Sequence, residues 1–440
     1  MQQSQTRSLG LTSLTSLVIA SMIGAGVFTT SGFALNDLGS PHRVMSAWAL
    51  GGLLALSGAA SYAGLVSRIT DSGGEYLFLS RIIHPVAGFI GGWVSLLAGF
   101  TGAIAFAALA FESYTSPLRP AWLPVGTVAA GVTILAALIH GARVGTGAIS
   151  QNAAVGLKLG LMLLFLGFAA VIALDSGSSP APAAPGSFSI AAFAGTLVWI
   201  SLSYSGFNAA VYVAGEARNA AIDVPRSLWL GTLLVTALYL GLNAIFVYLP
   251  PFEAVAGRED VAAAAALSLG GQPAAAAVRA LIALALLTSV FSMIMSGPRV
   301  YARMAADGLF PKLFSFEHGP PRAAIALQAG LAIIVIASAE LKQLLSYLGF
   351  TLSLTAALTV ASLFVLHRRE GRGAIAVPGY PFTPAFYVLG TLILAGLAGL
   401  NNPVELGAAV VTIASGSVVY LATRRFRPST KMTRSRGLQR

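Results

Sequence analysis

Twelve apolar stretches run along the chain, and most are close to the roughly 20 residues that cross a bilayer as a helix. Hydrocarbon leaves backbone polar groups no water to bind, so such stretches must form helices. Only 9% of the residues are charged, against about 25% in ordinary soluble domains. The sequence therefore predicts an all-α integral membrane protein with twelve transmembrane helices. The stretches are 12–34, 44–66, 86–112, 122–139, 153–174, 191–214, 227–249, 274–297, 323–338, 344–366, 383–400 and 403–423.

The positions of the basic residues predict the orientation. With the N-terminus inside, 21 of the 26 Lys and Arg residues fall on the inner side, as the positive-inside rule requires. We therefore expect a multi-pass protein of the cell (inner, cytoplasmic) membrane, with residues 1–11 and the basic tail 424–440 both cytoplasmic. The tail lacks interleaved aromatic residues, so we expect it to lie near anionic lipid rather than to bind nucleic acid.

Two of the stretches are interrupted near their middles. The first contains the run from Ile23 to Phe28, with two glycines within three residues, and the sixth contains the polar run from Ser201 to Asn208. Each glycine weakens a helix by about 1 kcal/mol, and broken backbone survives in hydrocarbon only where it is buried in protein or lines a cavity. Small residues also occur at ordinary helix interfaces, which would explain either run alone.

The matched positions of the two runs favour a pair of discontinuous helices. The interruptions lie in the first and the sixth helix, five helices apart in order, as expected for two five-helix repeats of opposite orientation. The predicted units are a first repeat at 12–174, an inverted second repeat at 191–366 and two additional helices at 383–423.

The helix ends at these interruptions would carry opposite partial charges. The outer half of the first helix begins near Ala25 and Gly26, where free N–H groups suit a carboxylate. The outer half of the sixth ends near Ser203, where free carbonyls suit an ammonium group. Together these ends fit the zwitterion of an α-amino acid. The candidate substrate-binding residues are Ile23, Gly24, Ala25, Gly26, Leu202, Ser203, Tyr204, Gly206 and Asn208.

Four motifs resemble those of the amino acid–polyamine–organocation (APC) transporter superfamily. They are Gly24-x-Gly26-Val27-Phe28, Gly73-Gly74-Glu75-Tyr76, Tyr204-Ser205-Gly206-Phe207-Asn208 and Arg299-Val300-Tyr301-Ala302-Arg303. The resemblance, which is to bacterial amino acid permeases and exchangers, covers the first ten helices. It implies a leucine-transporter-like fold and transport of amino acids or related amines by alternating access. In one respect the chain departs from the family, because Asn208 stands where some acid-resistance antiporters carry glutamate.

Lys158 lies within the fifth stretch, where a buried charge is costly and suggests function. The family resemblance implies that its ammonium replaces a sodium ion, bridging carbonyls of the first helix and the hydroxyls of Ser289 or Ser292. A lysine near the end of a helix can instead extend to the membrane surface. The first reading predicts transport without sodium.

Three further residues are gate candidates. Trp199 and Tyr204 could cover the substrate from outside, and Glu216 could form an inner gate with Arg299 or Arg303. Glu112 is either an ordinary interface charge or part of an outer vestibule that attracts cationic side chains.

The predicted function is sodium-independent transport of amino acids, by exchange or with protons. Neither interruption carries an acidic side chain, which favours neutral substrates. Open alternatives are a cationic amino acid or polyamine transporter, a sodium symporter and a non-transporting sensor. An enzyme is not expected, because Lys158 is the one titratable residue predicted at mid-membrane. We expect no cofactor and no metal, the lipid bilayer and an amino acid as partners, and a monomer or homodimer.

Overall fold

The computed structural model describes residues 9–142, 148–176, 188–306, 308–315, 321–371 and 377–424, and these are helical with no strand of more than an isolated bridge. Most of the predicted N-terminal segment 1–11 and of the basic tail 424–440 lies outside them. Within the described residues, eight helices are long and apolar enough to span a membrane, and four shorter apolar helices accompany them. The all-helical membrane architecture expected from the sequence is confirmed at this level.

The first half of the chain forms eight α-helices. In order they are α1 (Leu11–Met22), α2 (Gly26–Leu38), α3 (Pro41–Arg68), α4 (Gly74–Ile82), α5 (Pro85–Val94), α6 (Ala103–Thr115), α7 (Thr127–Ala142) and α8 (Ala148–Ser176). A π-helical segment at Ser95–Gly102 joins α5 to α6, so that 85–118 is one apolar span.

The second half forms eight more. They are α9 (Ile190–Ser203), α10 (Ala220–Tyr248), α11 (Phe252–Val255), α12 (Val261–Ala306), α13 (Arg322–Ser338), α14 (Leu341–Glu370), α15 (Phe382–Gly399) and α16 (Pro403–Arg424). A 3₁₀ segment at Ala209–Glu216 continues from α9 towards α10. Helix α12 bends at Gly270 and Gly271, whose backbone angles are not helical.

Both interruptions lie where the sequence predicts them. The first apolar stretch is divided into α1 and α2 by residues 23–25, and the sixth is divided after Ser203, where turns precede the 3₁₀ segment. Helix α2 then packs against α9, and α1 packs against the 3₁₀ segment that follows α9. The four pieces of broken helix therefore lie together in the interior of the bundle.

Gly32 sets the position of the outer half of the first broken helix. Its carbonyl accepts a hydrogen bond from the Gly257 N–H at 2.8 Å. A Cβ built on Gly32 would lie 1.9 Å from the backbone carbonyl oxygen of Arg258. Only glycine lets α2 approach the 256–260 segment this closely.

We therefore expect Gly32→Ala to lower the stability of the folded protein. Overpacking against backbone costs about 1–3 kcal/mol, and the change should appear as a lower thermal unfolding midpoint in detergent. Gly131→Ala is the matched control, because a Cβ there meets no atom within 4 Å. Alanine also stabilises an exposed helix position relative to glycine. An equal midpoint for both variants would contradict the close approach.

Candidate functional site

A cavity of about 570 Å³ lies between the two interruptions. The π-helical segment contributes Ser95, Gly99 and Phe100 to its wall, in keeping with the frequent occurrence of such segments at functional sites. All nine residues that the sequence suggested for substrate binding line it, namely Ile23, Gly24, Ala25, Gly26, Leu202, Ser203, Tyr204, Gly206 and Asn208.

Glycines bring the two interruptions into direct contact. A Cβ on Gly26 would lie 2.8 Å from the Cα of Ser203, and one on Gly206 would lie 2.7 Å from the carbonyl oxygen of Ser21. Gly206 also has a φ of +96°, a conformation that residues with a side chain rarely adopt. Each broken helix thus has a glycine where the backbone of the other passes.

Tyr239 of α10 links the same two chain segments through its hydroxyl group. The Tyr239 Oη atom lies 2.6 Å from the Met22 carbonyl oxygen and 3.1 Å from the Ser203 carbonyl oxygen. It therefore supplies a donor to helix ends that lack one within the helix. The sequence pattern did not single out Tyr239, since one tyrosine in an apolar stretch resembles a packing residue.

The backbone at each break has groups available to a ligand. Helix α2 begins at Gly26, so the first N–H groups of the helix point towards its cavity end without helical acceptors, although the Phe28 N–H bonds the Ala25 carbonyl at 3.1 Å. At the second break, the Ser205 N–H bonds the Leu202 carbonyl, three residues earlier, instead of the Ser201 carbonyl expected in an α-helix. Positive and negative helix ends therefore face one cavity.

Lys158 contacts the two groups that the family resemblance implied, a carbonyl of the first helix and a serine hydroxyl of α12. Its Nζ atom donates to the Ile23 carbonyl at 3.1 Å and lies 3.3 Å from the Ser289 hydroxyl. Ser292 lines the cavity one turn further along α12. The ammonium thus joins the first break to α12 rather than extending to the membrane surface.

Glu75 is a cavity residue that the sequence reasoning missed. Its carboxylate oxygen Oε1 accepts hydrogen bonds from the Tyr62 hydroxyl at 2.5 Å and from Asn208 Nδ2 at 3.0 Å. It is 8% exposed and lines the cavity. Burial raises the pKa of Glu75 to about 7, against the opposing effect of these two hydrogen bonds.

This carboxyl group corrects the expectation that Lys158 is the one titratable residue near the breaks. The acid is supplied by α4, which lies between the second and third candidate spans, and it reaches the second break through Asn208. The motif at residues 73–76 contained a signal of a functional glutamate, because Glu75 follows two glycines that allow close approach of the backbone. Nothing in the linear sequence indicated that Asn208 would be its partner.

The gate candidates occupy three different environments. Trp199 is 2% exposed, donates to the Ser346 hydroxyl at 2.7 Å and packs edge-on against Phe33. Tyr204 lines the cavity and lies 5.2 Å from the Tyr239 ring, centroid to centroid. Of these two, only Tyr204 borders the cavity itself.

Glu216 lies at the end of the 3₁₀ segment. Its backbone carbonyl accepts from the Leu9 N–H at 3.1 Å, which attaches the start of the described chain to the second broken helix. The side chains of its suggested partners, Arg299 and Arg303, lie outside the described residues.

Glu112 fits neither environment suggested for it. The side chain is 5% exposed and accepts from the backbone N–H groups of Gly126 at 2.8 Å and Ala129 at 3.0 Å, beside Arg119. A carboxylate at a helix N-terminus stabilises the helix. Glu112 is therefore a cap of α7 and not an exposed interface charge or a vestibule residue. Among the described residues, no three His, Asp or Glu side chains are grouped to hold a metal ion.

Comparison with known proteins gives consistent matches over nearly the whole chain. The sequence profile of the amino acid permease family matches residues 9–420. The serine/threonine exchanger SteT of Bacillus subtilis is 26% identical over 96% of this chain and 98% of its own length. The b(0,+)-type amino acid transporter 1 of Mus musculus is 26% identical over 94% of this chain and 87% of its own. The human cystine/glutamate transporter is 26% identical over 92% and 83%.

We expect Gly206→Ala to separate the two broken helices. The methyl group meets the backbone of Ser21 and the positive φ disfavours alanine, so the variant should lose about 2 kcal/mol or more of stability. Thermal unfolding in detergent measures this. Gly24→Ala is the control, since its Cβ meets nothing closer than the Met22 carbonyl at 4.0 Å. If Gly206→Ala unfolds at the same temperature as Gly24→Ala, the contact is not structural.

Proposed function

Because the chain belongs to the amino acid permease family, we propose that it is a sodium-independent secondary transporter that exchanges neutral amino acids across the cell membrane. The observation that carries the proposal is one cavity faced by an N–H-bearing helix end and a carbonyl-bearing helix end. An amino acid presents one anionic and one cationic group a few bonds apart, and it satisfies both ends at once. The basic residues support cytoplasmic termini.

We propose a twelve-helix arrangement of two inverted five-helix repeats followed by two helices. The contacts support it, because α3 packs along α10 and α6 along α12, which are the second and seventh, and the third and eighth, apolar spans. Spans related by an inverted repeat are expected to meet in this way around a central site. Alternating access would then rock one set of helices against the other around the breaks.

Sodium independence is supported by the position of Lys158. Its ammonium bonds the Ile23 carbonyl and contacts Ser289. A fixed positive charge therefore already lies between the first break and α12. A mobile cation at the same oxygens would be repelled by it. This favours exchange over a sodium symporter, and it leaves proton coupling as the second candidate mechanism.

A neutral substrate is the better proposal for two reasons. Neither interruption, 23–28 or 201–208, carries an acidic side chain, and the similar serine/threonine exchanger aligns over almost all of both chains. The b(0,+)-type amino acid transporter supports the broader class of amino acid substrates. A cationic side chain would be stabilised by a carboxyl group in the cavity, and among the described residues that line it only Glu75 could provide one.

Reconstituted exchange tests the function directly. Purified protein in liposomes loaded with unlabelled serine should take up labelled serine, and empty liposomes should take up much less. Replacing external sodium by choline should leave the rate unchanged. A protein that binds serine but moves none in either direction would be a sensor instead, and a strict sodium requirement would contradict the account of Lys158.

Replacing Lys158 should impair exchange without unfolding the protein. Lys158→Ala removes charge-assisted hydrogen bonds of about 1.5–3 kcal/mol, so we expect at least about a tenfold loss of serine exchange. Lys312→Ala, at an exposed position, is the matched control. Exchange by Lys158→Ala at the control rate would mean that the ammonium has no part in the cycle.

A further inference from the structure

Glu75 is the one charged side chain among the described residues that line the cavity. The cavity reaches it from the two breaks without interruption, because the same space is bordered by Gly26, Ser203 and Asn208. A side chain that extends from an amino acid held at the breaks can therefore meet this carboxyl group within one continuous cavity.

The groups that face Glu75 are all neutral. Tyr62 of α3 and Asn208 donate to Oε1, and Tyr212 of the 3₁₀ segment and Tyr387 of α15 lie close enough to interact with its charge. The charged pair of its own segment, Arg81 with Asp71, is exposed. No ion pair with Glu75 occurs among the residues that the structure describes.

The free hydrogen-bonding atoms here are acceptors. Both donors bind Oε1 of Glu75, which leaves the lone pairs of Oε2. Asn208 uses its amide nitrogen as the donor, which leaves its carbonyl oxygen as a second acceptor. An acceptor-lined site with one carboxyl group suits a ligand that brings donors and a positive charge, such as an ammonium or guanidinium group.

A buried carboxylate without a counter-ion is unstable, so this site requires one positive charge. Two sources can provide it, namely a proton on the carboxyl group itself or a cation in the cavity. The pKa of about 7 means that Glu75 changes between its protonated and ionised forms near neutral pH, where both forms are populated.

We propose that Glu75 is a specificity-determining residue whose carboxyl group holds a proton when a neutral amino acid is bound and pairs with the side-chain cation of a cationic amino acid when ionised. This inference rests on the proposed transport function and extends its substrate class. Replacement of a bound neutral amino acid by a cationic one therefore releases one proton from Glu75 to solution, so the net charge of the occupied cavity is the same with either substrate.

Arginine and citrulline test the proposal, because they have similar shapes but different side-chain charges. Arginine carries a guanidinium cation where citrulline carries a neutral urea group. In reconstituted exchange between pH 5.5 and 8.5, arginine uptake at low concentration should fall roughly tenfold per pH unit below about 7, as expected for competition with one proton. Citrulline uptake should instead fall as the pH rises above 7. Both substrates keep one side-chain charge state over this range.

Glu75→Gln retains an oxygen acceptor for Tyr62 and Asn208 but carries no charge. We expect this variant to lose arginine uptake at every pH and to keep citrulline uptake. Its citrulline uptake should no longer fall as the pH rises above 7. Glu75→Asp should restore arginine uptake in part. Glu253→Gln, at an exposed carboxyl on α11, should behave as the wild type with both substrates.

Two results with the Glu75→Gln variant would overturn the proposal. Arginine uptake with the wild-type pH profile would exclude pairing. Loss of both substrates at the wild-type unfolding temperature would assign Glu75 a role common to all substrates instead of a role in specificity. A wild-type protein that exchanges citrulline but never arginine refutes this subsite alone. A wild-type protein that exchanges neither of them nor serine refutes the transport function itself.

Discussion

The contact between the two interrupted helices is the constraint on which the rest of the site depends. A helix that stops in the middle of a membrane leaves N–H and carbonyl groups that lipid cannot satisfy. Here the two interruptions pass within van der Waals distance at Gly26 and Gly206, and the Tyr239 hydroxyl lies between the Met22 and Ser203 carbonyls. The remaining groups open into a cavity that an amino acid can complete. In the proposed site, structural contacts and the substrate thus share the backbone of the same two breaks.

Two ionisable side chains lie on different sides of this arrangement. Lys158 bonds the Ile23 carbonyl and Ser289, so it joins the first broken helix to α12, and we propose that it replaces a mobile cation there. Glu75 joins α4, through Tyr62 and Asn208, to α3 and the second break. Both side chains have neutral hydrogen-bonding partners, but among the described residues Glu75 lines the cavity and Lys158 does not. This difference supports the proposed roles, Lys158 as part of the scaffold and Glu75 as a group that responds to the substrate.

Helix breaks and buried lysines could be predicted from the sequence because their signals are local. Glycines at 24, 26 and 206 and a lysine inside an apolar stretch violate the composition of a membrane helix, wherever the rest of the chain lies. The roles of Glu75 and Glu112 could not be predicted, since each depends on a partner distant in sequence. Glu112 caps α7 through Gly126, and Glu75 meets Asn208, 133 residues away. A carboxyl group near a helix end gives no indication in the sequence of the distant group that it will contact.

The most direct test of this account is a structure of the protein with a bound amino acid in a lipid bilayer mimic. The account predicts the α-carboxylate at the N–H groups of the first turn of α2, near Gly26, and the α-ammonium at the carbonyls near Ser201 and Leu202. The side chain would extend towards Asn208. An amino acid bound in the opposite orientation, or outside the cavity between the two breaks, would contradict it.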